Sequence, residues 1–376
     1  MNSKIQQDNY RHISLMTDAN TRSSIAYQTN RTAITVFNMT LLAGAEAYIN
    51  GLEVSDHVLK SLLQNSVQIC YKNFPSLLVP YEWLSEETDC LAERSQELMK
   101  IHYDLPEKMF RLMLGERKLM YPKYSMALWE KGALNLEQAQ MDMLDDVIEK
   151  VGIKDGDEIL DLGCGWGAAP NYILAQFPNV KVTGLSLSHE QCEYMRKKMQ
   201  NPESYLSSER FTLYEEDFND AKFETKFDKV ITFGVFEHIG NLTKSFAKLA
   251  SFLKDDGKVF IHIISTTFPY NITNPFIDKY IFPNMRVWSY DSIPTTNKNL
   301  KTINRWYLNG VNYSETLKIW LRNFNQNQVK IKDLNYGMSY AKFRRLWRLY
   351  LLLCIAHFDG CNGEIIGNGQ YLLVHA

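Results

Sequence analysis

The sequence lacks the features that mark secreted, membrane-spanning or nucleic-acid-binding proteins. Its opening stretch, MNSKIQQDNYRHISL, is polar and contains no apolar core of a secretion signal. No stretch reaches the roughly 18 uninterrupted apolar residues of a membrane span. The 41 basic and 43 acidic residues give a formal net charge of −2, without the positive excess that nucleic acid attracts. We therefore expect a cytoplasmic protein that does not bind nucleic acid.

The chain also has few cysteines, and none of them is spaced for a zinc site or a CxxC redox pair. They are Cys70, Cys90, Cys164, Cys192, Cys354 and Cys361. Isolated cysteines of this kind act as small apolar side chains in a reducing compartment. We expect reduced thiols and no bound metal ion.

The N-terminal third of the chain has a helical pattern and no catalytic motif. After a polar stretch at residues 1–30, apolar residues recur every three or four positions in VFNMTLLAGAEAYI and HVLKSLLQNSVQICYKNF. We predict a helical N-terminal segment at residues 1–120 and a second domain at residues 121–376. In that domain Asn135, with Gln138 three residues later, is typical of a helix start, and the helix should run to about Val151.

Residues 158–264 alternate between strand-like and helix-like segments. The strand-like segments are EILDLG, VKVTGLS, FTLYEED, DKVITFG and KVFIHII. Helical segments such as EQCEYMRKKM separate them, so the pattern predicts an α/β fold with a doubly wound, mostly parallel sheet. Residues 266–310 interrupt the pattern with many aromatic residues and four prolines. We predict a lid over an apolar substrate there, with an irregular packed insertion as the alternative.

The glycine-rich stretch EILDLGCGWG has the order strand, turn, helix. Gly163, Gly165 and Gly167 let the backbone approach a ligand beyond the strand end. Asp161, two residues before the first glycine, resembles the acid in the first motif of S-adenosylmethionine sites. A dinucleotide site would need an acid about 20 residues further on, but the second strand ends in Ser186. S-adenosylmethionine is the favoured cofactor, and a turn that only joins strand and helix is the alternative.

Polar residues also follow the other predicted strands, and such residues meet at one edge of a parallel sheet. Asp217, after the third strand, is predicted to accept a hydrogen bond from an adenine amino group; an ordinary surface acid is the alternative. Glu237 and His238 follow the fourth strand, where a carboxylate can accept a proton, hold a cation or orient a base. His262 lies in the fifth strand. A lone buried histidine is usually a core residue, but the neighbouring Glu-His pair indicates a functional site.

With these motifs in hand, the chain resembles the cyclopropane-fatty-acid synthase family, which includes the mycolic acid methyltransferases and a branch of coclaurine-type amine N-methyltransferases. The segments that carry the resemblance are HYDLPEKMFRLML, YSMALW, LDLGCGWG, GVFEHIG, IHII and FRRLWRLYLLLC. A weaker match, to the N-terminal domain of the longer synthases, lies at residues 44–56. The resemblance implies the fold of a class I S-adenosylmethionine-dependent methyltransferase.

The family implies roles for particular positions of this sequence. Cofactor contacts are implied for Tyr124, Ser125, Gly163, Gly165, Ser186 and Gln191. In cyclopropane synthases a bicarbonate ion sits at the reaction centre, and its cage matches Glu237, His262, Tyr350 and the backbone of Ile264. The fifth cage position is Cys in the family and Met126 here. This contact is preserved if it comes from the backbone, whereas a required thiol would be missing.

Two acceptor classes stay open, with an unsaturated acyl chain of a lipid favoured over a hydrophobic amine. In the amine branch the motif resembles ELFEH, whereas Gly234 stands here in place of its first Glu. With an amine acceptor, Glu237 and His238 would take the proton from nitrogen. A relative that binds the cofactor without turnover is a third alternative, and Met126 is the indication for it.

The segment KFRRLWRLY near the C-terminus is both basic and aromatic. Its basic residues are Lys342, Arg344, Arg345 and Arg348. The favoured interpretation is a solvated helix face above a core stripe; the alternative is that the basic residues meet phospholipid headgroups while Phe343 and Trp347 enter the membrane interface. The expected partners are therefore a lipid or small-molecule acceptor, a membrane surface and, in a homodimer, a second copy of the chain.

Overall fold

The computed structural model describes residues 25–73, 91–92, 95–268 and 274–376. Most of the polar stretch at residues 1–30 lies outside this part of the chain, as does Cys90. The helices of the N-terminal segment are α1 (Ile25–Ile49), α2 (Asp56–Asn73), α3 (Ser95–Leu98) and α4 (Glu107–Leu114), with a π-helical turn at Met99–Tyr103 before α4. They confirm the helical pattern for the described residues. None of the helices in these ranges is both long and apolar enough to cross a membrane.

The rest of the chain alternates between helices and strands before a mixed C-terminal part. The elements in order are α5 (Leu136–Val151), β1 (Glu158–Leu162), α6 (Ala168–Gln176), β2 (Lys181–Ser186), α7 (His189–Met199), β3 (Phe211–Glu215), β4 (Phe227–Phe233), α8 (Leu242–Phe252), β5 (Leu253–Thr266), α9 (Pro275–Tyr280), β6 (Trp288–Ser289), α10 (Ser292–Thr296), β7 (Leu300–Leu308), α11 (Val311–Gln326), α12 (Gln328–Ile331), α13 (Tyr340–Asp359) and β8 (Ile366–His375). The predicted start of α5 is confirmed, because Asn135 Oδ1 accepts a 3.0 Å hydrogen bond from the Gln138 N–H.

The strands form one sheet in the order β3-β2-β1-β4-β5-β8-β7, with β6 paired to β5. The strands from β3 to β5 are parallel, whereas β8 runs antiparallel to both β5 and β7. The chain winds outward from β1 in both directions, so the strand order reverses between β1 and β4. Such a reversal opens a crevice beyond the carboxyl ends of the strands, where ligands bind in doubly wound folds. The predicted fold class is confirmed.

One boundary of the predicted lid is wrong. Residues 300–308 form β7, a strand of the main sheet that pairs with β8, rather than part of an insertion. Along this strand Leu300 and Leu308 are buried, but Ile303 is exposed. An edge strand that buries so few residues carries no regular apolar alternation, so its sequence does not resemble a strand.

Apolar side chains pack in two clusters, one on each face of the sheet. Phe260 on β5 belongs to the first cluster and Ile261 to the second, because successive side chains of a strand point to opposite faces. The first cluster also includes Phe110 and Trp320, so the N-terminal helices share a core with the sheet and its C-terminal helices. The five cysteines that the structure describes are free thiols, as expected.

The lipid-facing interpretation of the KFRRLWRLY segment is wrong for its aromatic residues and for Arg348. Phe343 and Trp347 are 1% and 2% exposed in α13. Arg348 is buried as well, and its guanidinium pairs with Asp56 at 2.6 Å and donates to the hydroxyl of Tyr48 at 3.2 Å. The N-terminal helices cover this face of α13, which the local sequence could not reveal. These side chains therefore hold the N-terminal segment to the main domain.

Candidate active site

Two cavities meet beyond the carboxyl ends of the strands. The strand-end cavity is lined by Tyr124, Ser125, Asp161, Gly163, Gly165, Ser186, Gln191 and Asp217, among others. The apolar cavity is lined by Glu237, His262, Ile264 and Tyr350 together with many apolar side chains. Five residues line both: Tyr103, Tyr124, Ser125, Gly234 and His238. The structure thus brings together most of the site residues predicted from the sequence, in two adjoining groups.

The end of β1 and the turn after it supply a buried acid and a glycine backbone that a ligand can approach closely. Asp161 is 1% exposed, and its Oδ1 has no hydrogen-bond partner among the described residues. Burial raises the pKa of this carboxyl to about 8. Gly163 has a φ of +78°, and a Cβ there would lie 2.2 Å from Cγ2 of Val235. The turn therefore requires glycine at this position, and Asp161 is placed to accept a hydrogen bond from a bound ligand.

Polar side chains after β2 and β3 complete the wall of the strand-end cavity. Ser186 Oγ donates a 3.1 Å hydrogen bond to Oε1 of Gln191. Asp217 is held by Asn219, whose backbone N–H and side-chain amide both donate to Oδ1 at 2.8 Å. Glu215 instead pairs with surface groups on α7. Asp217 therefore presents an oriented carboxylate in the wall of the strand-end cavity, and its contact with adenine stays a prediction.

Two predicted residues lie outside both cavity linings. Gly167 also has a positive φ, but a Cβ there would meet Met195 and Leu206 at 3.0 to 3.2 Å, so it is required for packing beneath the turn. Met126 is fully buried, and its carbonyl oxygen accepts a hydrogen bond from Lys123. Neither Gly167 nor Met126 lines the strand-end cavity or the apolar cavity.

Glu237 is the buried acid of the apolar cavity. Its Oε1 accepts a 2.8 Å hydrogen bond from the backbone N–H of Ile264, and its Oε2 has no partner in the described part of the chain. Burial raises the pKa of Glu237 to about 7. Burial lowers the pKa of neighbouring His238 to about 4, helped by the positive charge of Arg286. At neutral pH the pair thus consists of a neutral imidazole and a carboxyl poised to gain or lose a proton.

His262 is held by two amides that sequence analysis missed. Its Nε2 lies 3.1 Å from the side-chain amide of Asn368, and its Nδ1 lies 3.4 Å from Nε2 of Gln370. Lys150 donates to Oε1 of Gln370 at 2.6 Å, so the Gln370 amide is oriented with its Nε2 toward Nδ1 of His262. Burial lowers the pKa of His262 well below its ordinary value, which keeps the ring neutral.

A buried row of hydrogen bonds runs from Tyr350, in the apolar cavity, through Tyr124, which lines both cavities. The hydroxyl of Tyr350 lies 3.1 Å from that of Tyr124, which in turn lies 3.0 Å from Nε2 of His102. His102 is 1% exposed, and its ring stacks on Trp347 with centroids 5.1 Å apart. Sequence analysis missed His102, which lies in a helical stretch without a strand end beside it. These hydrogen bonds hold the Tyr350 hydroxyl at the edge of the apolar cavity.

Four of the residues implied for a bicarbonate cage line one cavity, and they already have hydrogen-bond partners within the protein. The backbone N–H of Ile264 donates to Glu237, and His262 is held by Asn368 and Gln370. Met126 lies outside the lining of the cavity. The bicarbonate cage stays a prediction from the family resemblance.

Residues of the predicted lid cover the apolar cavity. They are Asn274, Ile277, Asp278, Phe282, Met285 and Val287. On the opposite side α13 contributes Tyr350, Cys354 and His357, which lie on one helical face. The segment therefore forms part of the wall of the apolar cavity, and its action as a lid stays a prediction.

Comparison with known proteins gives a consistent set of relatives. The family model described as mycolic acid cyclopropane synthetase matches residues 91–366. The chain is 32% identical to the cyclopropane-fatty-acyl-phospholipid synthase of Escherichia coli over 69% of its own length and 63% of the relative's length. It is 27% identical to the (S)-coclaurine N-methyltransferase of Papaver somniferum, over 73% of this chain and 78% of that protein.

The fold is shared with a solved structure as well. The crystal structure of a coclaurine N-methyltransferase bound to N-methylheliamine and S-adenosylhomocysteine superposes with a TM-score of 0.78. The match covers 89% of this chain and 99% of the other at 20% identity, so it supports the fold alone. Since the family model spans most of this sequence, the chain belongs to the mycolic acid cyclopropane synthetase family.

Proposed function

We propose that this protein is an S-adenosylmethionine-dependent methyltransferase. The observation that carries the proposal is the shared wall between the cavities, since Tyr124, Ser125 and Gly234 line both. When bound, S-adenosylmethionine supplies an electrophilic methyl group. Oδ1 of Asp161, which has no hydrogen-bond partner among the described residues, fits its amino or hydroxyl donors, and the turn at Gly163 admits its close approach. The adjoining cavity would then hold the acceptor against the methyl group.

We further propose that the acceptor is an unsaturated acyl chain of a lipid. The apolar cavity presents aliphatic and aromatic side chains, including Ile277, Phe282 and Leu317, which suit a hydrocarbon. Gly234 contributes no carboxylate to the wall at the position where the amine branch has Glu. The synthase of Escherichia coli, whose name describes a cyclopropane fatty-acyl phospholipid, supports the same choice.

In this proposal the chain positions the alkene and moves one proton. A bond forms between the methyl carbon and one alkene carbon while the methyl–sulfur bond breaks. Positive charge develops on the second alkene carbon, and the Glu237 carboxylate stabilises it from within a cavity of low polarity. Oε2 of Glu237 then accepts a proton from the transferred carbon, which closes a three-membered ring. Ile264 orients the carboxylate throughout by donating to Oε1.

A hydrophobic amine is the second candidate acceptor. The observation that favours it is His238, whose Nδ1 is buried without a partner among the described residues and which lies beside Glu237 in the same cavity. A neutral imidazole and a carboxylate together would take the proton from nitrogen as it is methylated. The coclaurine N-methyltransferase of Papaver somniferum is a relative with such an acceptor in its name.

The proposals are tested by giving the purified protein labelled S-adenosylmethionine with two acceptor sets. One set is phospholipid vesicles rich in monounsaturated chains, with saturated vesicles as the control. The other is a panel of cyclic and benzylic amines. Label in unsaturated lipid alone supports the acyl-chain proposal, and label in amines alone replaces it with the second candidate. If the protein binds S-adenosylhomocysteine but labels no acceptor, the proposal that it is a methyltransferase is contradicted. The protein would then be a relative that binds the cofactor without turnover.

A further inference from the structure

Lys123 is a buried amine that the mechanism above does not use. It is 5% exposed and lies in the wall of the strand-end cavity, next to Tyr124. Its Nζ donates a 2.5 Å hydrogen bond to the carbonyl oxygen of Met126. No carboxylate of the described residues lies within 4.0 Å of it. An ammonium has three donors, so a neutral carbonyl leaves both its charge and most of its hydrogen-bonding capacity unmatched.

A buried ammonium group destabilises the folded protein unless an anion or further hydrogen-bond acceptors contact it. Burial lowers the pKa of Lys123 to about 7, which expresses the penalty of keeping the charge away from water. Buried ammonium groups in proteins are usually paired with an acid or a ligand.

The strand-end cavity also contains a buried acid, Asp161. Asp161 is 1% exposed, its Oδ1 has no hydrogen-bond partner in the described ranges, and no described cation pairs with it. One cavity therefore has a buried amine and a buried acid, each without a partner of opposite charge and not paired with each other. A ligand that carries both an ammonium and a carboxylate would complement the two groups at once.

We propose that Lys123 binds the carboxylate at the amino-acid end of the cofactor, while Asp161 accepts a hydrogen bond from its amino or ribose groups. The inference rests on the proposed function, because S-adenosylmethionine and S-adenosylhomocysteine carry this amino-acid end. Lys123 is thus a cofactor-binding residue that discriminates between nucleosides with and without a carboxylate. Its hydrogen bond to Met126 holds the ammonium in position.

The test compares two ligands on two variants by isothermal titration calorimetry. The ligands are S-adenosylhomocysteine and its decarboxylated analogue, which keeps the nucleoside, the thioether and the amine. Lys123→Met should weaken S-adenosylhomocysteine about 10- to 100-fold and change the analogue by no more than about 2-fold. Lys118→Met, an exposed lysine in the same segment, removes the same charge and should leave both affinities unchanged.

A purely structural role gives a different result. If Lys123 only fastens the turn through Met126, Lys123→Met will lower the melting temperature of the ligand-free protein and weaken both ligands equally, which overturns the inference. Unchanged affinity for S-adenosylhomocysteine overturns it as well. We expect an equal or higher melting temperature, because the variant removes an unpaired buried charge. Failure of the wild-type protein to bind S-adenosylhomocysteine would instead contradict the proposed function.

Discussion

The backbone N–H of Ile264 on β5 donates a 2.8 Å hydrogen bond to Oε1 of Glu237, in the turn that follows β4. The two strands are parallel neighbours, so their pairing fixes the distance between donor and acceptor. The bond engages one carboxylate oxygen and leaves Oε2 buried without a described partner. A single oriented oxygen in the wall of the apolar cavity is the centre of the proposed chemistry.

Replacing Glu237 with glutamine should remove turnover and preserve cofactor binding. The amide oxygen can still accept from Ile264, but the side chain can no longer take a proton. We expect the rate of methyl transfer to fall about 100- to 10,000-fold, with the affinity for S-adenosylhomocysteine unchanged because Glu237 does not line the strand-end cavity. Initial rates and calorimetry measure the two quantities. Glu53→Gln, at an exposed site, is the control, and full activity of Glu237→Gln would rule out a catalytic role.

The free energy of unfolding should depend on pH in a way that reflects the raised pKa of Glu237. Its pKa is about 7 in the folded protein against 4.5 ordinarily, so the folded state retains a proton that the unfolded chain has lost. This carboxyl therefore stabilises less as the pH rises from about 4.5 to about 7. Other buried groups titrate in the same range, so the difference from Glu237→Gln isolates it. We expect the variant to gain about 3 kcal/mol relative to wild type across that range.

Urea unfolding of both proteins at about pH 5 and about pH 8 measures this difference. Glu53→Gln should show the same stability difference from wild type at both pH values. A difference between wild type and Glu237→Gln that does not vary with pH would mean that the carboxyl titrates normally in the folded state.

The turn after β1 should not tolerate a side chain at Gly163. A Cβ there would lie 2.2 Å from Cγ2 of Val235, and the φ of +78° disfavours any other residue. We expect Gly163→Ala to weaken the binding of S-adenosylhomocysteine at least about 100-fold. The turn must move to make room for the Cβ, and its hydrogen bonds to the ligand would then be too long. Gly115→Ala is a matched control, with a φ of +84° and no atom within 4 Å of the new Cβ. It should lose some stability but keep its affinity.

Trp347 should matter for stability and not for binding to membranes. The ring is 2% exposed and stacks on His102 inside the core. We expect Trp347→Ala to lower the free energy of unfolding by about 3–5 kcal/mol, as measured by urea denaturation. Lys342→Ala, at an exposed position on the same helix, should change it by less than about 0.5 kcal/mol. Vesicle binding that depends on Trp347 in a protein of unchanged stability would restore the lipid-facing interpretation.

The parts of the fold that sequence could predict are those with a local signal. Asn135 caps its helix through a residue three positions away, and the strands from β1 to β5 have apolar runs that end in turns. Strand β7 could not be predicted, because an exposed edge strand buries few residues and its partner β8 is distant in sequence. Only the pairing itself identifies it.

The site shows the same division. Glu237 and Asp161 were found because polar residues at strand ends meet in this fold class. Asn368 and Gln370 were missed, although two polar side chains within an apolar closing strand were a usable signal; antiparallel pairing puts Gln370 opposite His262. Arg348 was misinterpreted because its partner Asp56 is far away in the chain. Its burial follows from tertiary packing, which a helical pattern does not specify.

The most direct test of the central claim is the fate of a trideuterated methyl group from S-adenosylmethionine. The purified protein is incubated with monounsaturated phospholipid vesicles, and the lipid acyl chains are analysed by mass spectrometry. We predict an added carbon that keeps two of its three deuterium atoms, because Glu237 removes one when the ring closes. The same lipid product should be absent with Glu237→Gln. An added carbon that keeps all three deuterium atoms, or label found only on nitrogen of an amine, would contradict the account.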